Sequence, residues 1–107
     1  MKRGEVYWVN FDPSVGEEIQ KTRPAVIVSN NSFNERVEHF QVIPLSTRIE
    51  RVYAGQAMIF VKDRRVKAVT NQIKTVSKKR MGVYFGVTSP SDMRKVEVAL
   101  KIQLGLR

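Results

Sequence analysis

Short stretches of apolar and β-branched residues, separated by polar turns, occupy most of the chain. Segment 5–11 is rich in aromatic and β-branched side chains, and Asp12-Pro13 ends it. Segment 25–29 is a continuous apolar run of strand length, which predicts a strand buried on both faces. The strands predicted in this way are 5–11, 25–29, 40–46, 56–61, 67–70, 73–76 and 83–87. Their short connections favour antiparallel pairing.

The hydrophobic period changes from that of strands to that of a helix after residue 88. Ser89-Pro90 begins the helix, with a capping hydroxyl followed by proline at the first helical position, and Gly105 ends it. The apolar stripe consists of Met93, Val96, Ala99, Leu100, Ile102 and Leu104. The pattern therefore predicts a mainly β fold, a small antiparallel β-barrel covered by one C-terminal α-helix.

Three connecting segments have features of their own. Segment 30–36 carries cap-type polar residues and predicts a turn or a single helical turn. Pro44, near the end of the third strand, predicts an edge position or a bulge, because proline has no N–H for a ladder. Segment 47–55 predicts a mobile loop.

The length of 107 residues predicts one domain, residues 1–107, with a core that needs no metal or disulfide. The chain has no cysteine, so disulfides, thiolate nucleophiles and cysteine-based zinc sites are excluded. No apolar run approaches the length of a membrane span. We expect a soluble cytoplasmic protein that does not bind a membrane.

The net charge of +9 is concentrated in one part of the sequence. Residues 1–61 carry equal numbers of basic and acidic residues, whereas residues 62–80 contain eight basic residues against Asp63 alone. A compact basic face favours polyanions, since each neutralised phosphate releases counterions. A solvated face that only keeps the protein soluble is the alternative interpretation.

The loop 16–24 delivers Glu18, Lys21 and Arg23 to the start of the second predicted strand. Pro24 fixes the backbone directly after Arg23 and favours an extended conformation for it. On residue chemistry alone, Arg23 is either a solvated charge at a strand end or a functional guanidinium.

The residue types limit the chemistry that is available. His39 is the only histidine, the carboxylates form no metal-ligand spacing, and no phosphate-binding glycine loop is present. No metal and no cofactor is therefore predicted. RNA suits the remaining arginine, lysine and hydroxyl groups, because its own 2′-OH can attack the neighbouring phosphorus. Arg23 and the pair Ser46-Thr47 are candidates for stabilising that phosphate.

Several motifs, in order, resemble those of the MazF/PemK toxins of type II toxin–antitoxin systems. They are 3–9 (RGEVYWV), Asp12-Pro13, Gly16 with Glu18, 23–26 (RPAV), 42–46 (VIPLS) and 71–75 (NQIKT). The resemblance covers nearly the whole chain. It implies an SH3-like barrel, a homodimer and a metal-independent endoribonuclease that cleaves single-stranded RNA to 2′,3′-cyclic phosphate and 5′-OH ends. It also implies a cognate antitoxin with an acidic C-terminal segment.

The resemblance assigns roles by motif position. Arg23 matches the catalytic arginine, Ser46 the catalytic hydroxyl and Glu18 an acid with a base or positioning role. The residues assigned to RNA binding are Thr22, Thr47, Gln72, Lys74, Lys78 and Lys79. For Gln72 and Lys74, an ordinary polar pair on an exposed strand is the alternative.

The chain departs from the family pattern at three places. Glu17 and Ile19 stand where serine and glutamine are usual, Asn71 where aspartate is frequent, and Ser46 where threonine is usual. Two functional hypotheses follow. One is the ribonuclease toxin, and the other is a non-catalytic module on the same fold, either a CcdB-like toxin that binds DNA gyrase or an RNA-binding domain.

Overall fold

The computed structural model of the protein describes residues 1–107. It consists of seven strands, two α-helices and two short 3-10 turns. The strands are β1 (Glu5–Asn10), β2 (Thr22–Ile27), β3 (His39–Ser46), β4 (Ala57–Val61), β5 (Arg64–Ala68), β6 (Lys74–Ser77) and β7 (Met81–Val87). The helices are α1 (Asn31–Arg36) and α2 (Pro90–Leu104), and the 3-10 turns are Thr70–Gln72 and Lys78–Arg80.

All strands belong to one antiparallel sheet in the order β4-β5-β3-β2-β1-β7, with β6 paired to β3 outside this path. The sheet curls until its two ends approach each other. A Cβ atom on Gly86 of β7 would lie 3.1 Å from Val61 Cγ1 at the end of β4, although these strands share no ladder. The predicted mainly β fold with a C-terminal helix is confirmed, as a curled half-barrel.

The second strand is buried on both faces, as its apolar run predicted. Val26 belongs to the larger apolar cluster, which also contains Val96 of α2. Ala25 and Ile27 belong to a second cluster on the opposite face, with Phe11 and other side chains. The interior of β2 is therefore rigidly held, and the residues just before it project from a fixed base.

Helix α2 begins and ends where the sequence predicted. The Ser89 hydroxyl accepts a hydrogen bond from the Asp92 N–H, and Gly105 adopts a left-handed conformation with φ of 69°. The predicted apolar stripe was too long, because Ile102 and Leu104 are each 54% exposed. The last helical turn therefore lies outside the packed core. Neither helix combines the length and apolar character needed to cross a membrane.

Two strands were predicted to begin three residues later than they do, at 25 instead of Thr22 and at 67 instead of Arg64. The second strand begins at Thr22 and therefore includes Arg23 and Pro24. The fifth strand is Arg64–Ala68 rather than 67–70. It follows a two-residue hairpin turn in which Lys62 and Asp63 both have positive φ, 52° and 60°. Lys-Asp is not a typical sequence for such a turn, so the sequence did not reveal the hairpin.

Of the two positions predicted for Pro44, an edge or a bulge, the edge is wrong. Strand β3 lies inside the sheet, and Pro44 pairs with Ala25 of β2. On its other side β3 pairs with β6 up to Val42 and with β5 from Leu45 onward. The Pro44 carbonyl accepts the Val69 N–H. Because the nitrogen and the carbonyl of a strand residue point to the same side, the proline nitrogen, which has no hydrogen, faces the side of β3 where its partner changes from β6 to β5.

A buried carboxylate joins α2 to the edge of the sheet. Asp92 is only 7% exposed, and one of its oxygens accepts the backbone N–H of Phe60 at 2.9 Å. The other oxygen lies 3.4 Å from the exposed Lys95 ammonium. The contact gives a hydrogen-bond partner to the Phe60 N–H, which points outward from the edge strand β4. It also fixes the start of α2 against that strand.

We predict that Asp92→Ala lowers the free energy of unfolding by about 2 kcal/mol, because it removes a charge-assisted hydrogen bond in a buried place. Urea denaturation monitored by circular dichroism measures the loss. Lys95→Ala is the matched control and should cost less than about 1 kcal/mol, as is usual for an exposed ion pair. Equal losses in the two variants would contradict this assignment.

Candidate active site

The candidate site is a cleft that opens where β2 and β3 separate. The Val28 N–H donates to the Gln41 carbonyl at 2.9 Å. Because backbone groups alternate in direction along a strand, residue 24 faces β3 in the same way as Val28. That residue is proline, and it has no N–H to donate to the Leu45 carbonyl. The ladder accordingly ends at the pair Ala25 and Pro44.

The register of β2 and β3 determines which side chains meet beyond this point. Continued past Ala25 and Pro44, it places Arg23 opposite Ser46, and Thr22 opposite Thr47. All four of these residues line one cleft with a volume of about 270 Å³. The structure thus brings together four of the predicted site residues.

The other wall of the cleft is aromatic and apolar. Trp8 of β1 and Phe85 of β7 lie against each other, edge to face, with ring centroids 5.5 Å apart. Val61 and Val66 of the β4–β5 hairpin also line the cleft, and Arg64 adds a second guanidinium. The cleft therefore combines a cationic and hydroxyl side with an aromatic side.

Local hydrogen bonds orient the two central polar groups. The Arg23 Nε–H donates to the Gln20 carbonyl at 3.2 Å, and the terminal Nη groups have no partner in the protein. The Ser46 hydroxyl oxygen accepts the Arg48 N–H at 3.1 Å. That bond uses the hydroxyl as an acceptor and leaves its proton free to donate. Arg23 and Ser46 are both arranged to donate hydrogen bonds to an anion.

The lining of the cleft carries positive charge and no negative charge. No carboxylate and no histidine is among its lining residues. The two ion pairs of the protein lie elsewhere, Arg3 with Glu97 and Lys95 with Asp92. No group of three or more His, Asp or Glu side chains is positioned to hold a metal ion. This electrostatic arrangement favours an anionic group such as a phosphate.

Glu18 lies outside the cleft. Its side-chain oxygen accepts the Val15 N–H at 2.7 Å, within the loop that precedes β2. The carboxylate is exposed and contributes to the shape of that loop. The structure therefore does not place Glu18 beside Arg23 and Ser46.

Gln72 also contacts this loop, and both ends of its amide are engaged there. The Gln72 side-chain oxygen accepts the Ile19 N–H at 3.3 Å, and its NH₂ group donates to the Glu17 carbonyl at 3.2 Å. Gln72 therefore holds the loop before Arg23 in place.

The neighbouring residue braces the loop on the other side of the cleft. The Asn71 side-chain oxygen accepts a hydrogen bond from Gln56 at 2.8 Å, and Gln56 in turn accepts the Tyr53 N–H. The Lys67 ammonium donates to the Arg51 carbonyl in the same loop. The 3-10 turn Thr70–Gln72 thus supports both loops that border the cleft.

The predicted basic face is divided by the fold. Lys74 pairs with Val42 in the sheet, and Lys78 and Lys79 follow Ser77, which pairs with His39 at the far end of β3. At roughly 3.3 Å per residue, that end of β3 is about 23 Å from Ser46. Lys78 and Lys79 therefore lie away from the cleft, and Lys74 is not among its lining residues.

Sequence reasoning missed Trp8, Phe85 and Arg64 as cleft residues. The pairing of β1 with β7 changes register on both sides of Tyr7, each time with one extra residue on β7, the strand that carries Phe85. An irregularity of this kind breaks the period-two pattern that would have indicated the outward face. Arg64 was counted only as part of the basic run.

Tyr7 lies on the opposite face of β1, packed against the second apolar cluster. Burial, together with the hydrogen bond that its hydroxyl donates to Glu5 at 3.0 Å, raises the pKa of Tyr7 to about 12. The phenol stays protonated near neutral pH and faces away from the cleft. It supplies no acid–base group to the site.

Comparison with known proteins gives consistent results over the whole chain. The family model of the PemK-like, MazF-like toxins of type II toxin–antitoxin systems matches residues 2–104. Endoribonuclease MazF9 of Mycobacterium tuberculosis is 30% identical over 115 residues, covering 99% of this chain and 98% of the relative. Endoribonuclease toxin MazF of Escherichia coli K12 is 24% identical, covering 95% and 92%.

Solved structures agree with these relatives. An endoribonuclease from a mycobacterial species, in complex with its cognate antitoxin, matches with a TM-score of 0.84 at 27% identity, covering 100% of this chain and 97% of that chain. MazF from Deinococcus radiodurans has the same fold, with a TM-score of 0.86 at 19% identity over 99% and 97%.

The curled sheet, its C-terminal helix and these relatives define a small β-barrel toxin. The chain belongs to the PemK-like, MazF-like toxin family of type II toxin–antitoxin systems. The prediction of this family, and of an endoribonuclease, is confirmed.

We predict that the two amides of the 3-10 turn brace different loops. Gln72→Ala should accelerate amide hydrogen exchange in segment 14–21, where the Ile19 N–H loses its acceptor, and leave segment 47–56 unchanged. Asn71→Ala should do the reverse. Hydrogen exchange followed by mass spectrometry measures both, and each variant is the control for the other. Unchanged exchange in both variants would show that the loops do not depend on these amides.

Proposed function

We propose that this protein is the toxin of a type II toxin–antitoxin system and cleaves single-stranded RNA by a metal-independent reaction. The observation that carries the proposal is that Arg23 and Ser46 line one cationic cleft whose lining contains no carboxylate. The endoribonuclease relatives support the same conclusion.

In the proposed reaction the RNA supplies its own nucleophile. The 2′-oxygen loses its proton and bonds to the neighbouring phosphorus, and the bond from phosphorus to the 5′-oxygen breaks. The 5′-oxygen takes up a proton, which gives a 2′,3′-cyclic phosphate and a 5′-OH end. We assign both proton transfers to water, because the cleft lining holds neither a carboxylate nor a histidine.

The protein stabilises the charge that gathers on the phosphate oxygens during this reaction. Arg23 donates from its free Nη groups, in the fork geometry that suits two oxygens of one phosphate. Ser46 donates its hydroxyl proton, since its oxygen already accepts the Arg48 N–H. Preorganised donors of this kind lower the barrier because they need no rearrangement when charge develops.

The remaining assignments follow from position. Thr22 and Thr47 contact the RNA beside Arg23 and Ser46. Lys74, Lys78 and Lys79 attract the strand further along the surface. Glu18 and Gln72 shape the loop before β2 rather than take part in the proton transfers.

We also propose the cellular setting that the family implies. The protein acts as a homodimer in the cytoplasm, where cleavage of messenger RNA stops translation and growth. A cognate antitoxin, with an acidic extended C-terminal segment, neutralises the cationic cleft. The mycobacterial relative solved with its cognate antitoxin supports this partner.

We predict that the purified protein cleaves single-stranded RNA in the presence of EDTA and leaves 5′-OH ends that polynucleotide kinase labels directly. Arg23→Lys should lower the cleavage rate by about 100-fold or more, because a lysine does not provide the bidentate donor pair. Ser46→Ala should have a loss of similar size.

Two controls accompany this experiment. Thr47→Ala, the adjacent hydroxyl, should lose less than about 10-fold if Ser46 is the donor. Arg65→Lys changes an arginine outside the cleft and should keep wild-type activity. Loss of cleavage in EDTA would refute the metal-independent reaction, and binding without new RNA ends would favour the non-catalytic module.

We predict that Glu18→Gln retains cleavage within about 3-fold, because the glutamine oxygen still accepts the Val15 N–H. Removal of a general base costs about 100-fold or more, so the two roles are clearly separated. The measurement is the cleavage rate with an RNA oligonucleotide in excess, with Glu17→Gln as the neighbouring control. A loss of about 100-fold in Glu18→Gln alone would assign the proton transfer to Glu18.

A further inference from the structure

The aromatic wall of the cleft is open to solvent beside the phosphate site. Trp8 is 38% exposed although it is the largest side chain of its strand. It pairs with Pro24, the residue next to Arg23, so its Cα lies about 5 Å from the backbone that carries the catalytic arginine. Because Trp8 and Arg23 line the same cleft, a nucleotide whose phosphate lies at Arg23 has a neighbouring base within reach of the indole ring.

The same wall carries cations that no acid neutralises. The Lys62 ammonium lies 4.7 Å from the centroid of the Phe85 ring, and Arg64 lines the cleft beside it. Neither residue forms an ion pair. A flat aromatic surface with adjacent unpaired cations suits a nucleobase, which is planar and is attached to a polyanionic backbone.

We propose that Trp8, supported by Phe85 and Lys62, forms a stacking subsite for one unpaired base of the RNA strand that is cut between Arg23 and Ser46. This inference rests on the proposed function and adds a binding element to the same cleft. Stacking requires a base that is free of a partner strand, so the subsite also accounts for a preference for single-stranded over double-stranded RNA.

The protein contains a second aromatic–cation pair that serves as a control. Phe60 is 48% exposed, and the Arg65 guanidinium lies 5.8 Å from its ring centroid. Neither residue lines the cleft. The two pairs have similar chemistry, but only the first has its aromatic ring, Phe85, in the lining of the cleft that holds Arg23.

Trp8 is the only tryptophan of the chain, so its fluorescence reports on this subsite alone. The probe is a short 2′-O-methyl oligoribonucleotide of mixed sequence, which has no free 2′-OH and is not cleaved. We expect saturable quenching of Trp8 fluorescence by this probe. Inorganic polyphosphate and polyglutamate carry negative charge without bases, and they should produce no comparable quenching.

Kinetics test the same subsite with variants. Trp8→Leu and Phe85→Leu should each raise KM for single-stranded RNA by about 10-fold, in the range that loss of base stacking produces, with kcat within about 3-fold of wild type. Phe60→Leu should leave both constants unchanged. Circular dichroism verifies that each variant is folded. The fluorescence titration uses the wild-type protein, so it tests the subsite even if a variant does not fold.

The outcomes separate this inference from the proposed function. If the wild type makes no RNA ends, the proposed function fails. If it cleaves RNA but the probe does not quench Trp8, or polyphosphate or polyglutamate quenches it equally, the stacking subsite is refuted and the cleavage site stands. Wild-type KM in folded Trp8→Leu and Phe85→Leu would refute the subsite in the same way.

Discussion

Pro24 removes one of the backbone hydrogen bonds that would continue the ladder of β2 and β3 into the cleft. Strand β2 is buried on both faces and fixed between β1 and β3, so its direction cannot change at the point where the ladder ends. Pro24 still pairs with Trp8 on the β1 side, but it has no hydrogen to give toward Leu45. One side of the strand therefore stays anchored while the other opens, and Arg23 projects into the opening from a rigid base.

Rigid support continues into the loops on both sides of the opening. Gln72 and Asn71 are adjacent in one 3-10 turn, and each fixes a different loop through its side-chain amide. The turn itself is held to the core through Thr70, which is fully buried. A substitution of either amide would therefore alter one border of the cleft and leave the other in place. Amides that would otherwise be taken for substrate contacts thus have a structural role.

Much of the fold was predictable because core strands and helix caps have strong local signals. The apolar run at 25–29 and the Ser89-Pro90 start with Gly105 at the end are such signals, and the structure contains the corresponding elements. The hairpin at Lys62 and Asp63 was not predictable, since its turn relies on positive φ at residues that seldom adopt it. Tertiary pairing, rather than local preference, decides the structure there.

The candidate site was predictable only in part, because sequence proximity and spatial proximity differ. Arg23 and Ser46 lie on different strands and line the same cleft, and the family motifs indicated them where charge alone did not. The basic run at 62–80, by contrast, is divided by the fold: Arg64 reaches the cleft, whereas Lys78 and Lys79 lie at the far end of β3. A positive charge contributes to the site only where the fold leaves it without an acidic partner and aims it into the cleft. The count of basic residues in a sequence window therefore predicts attraction to a polyanion but not the place where it is cut.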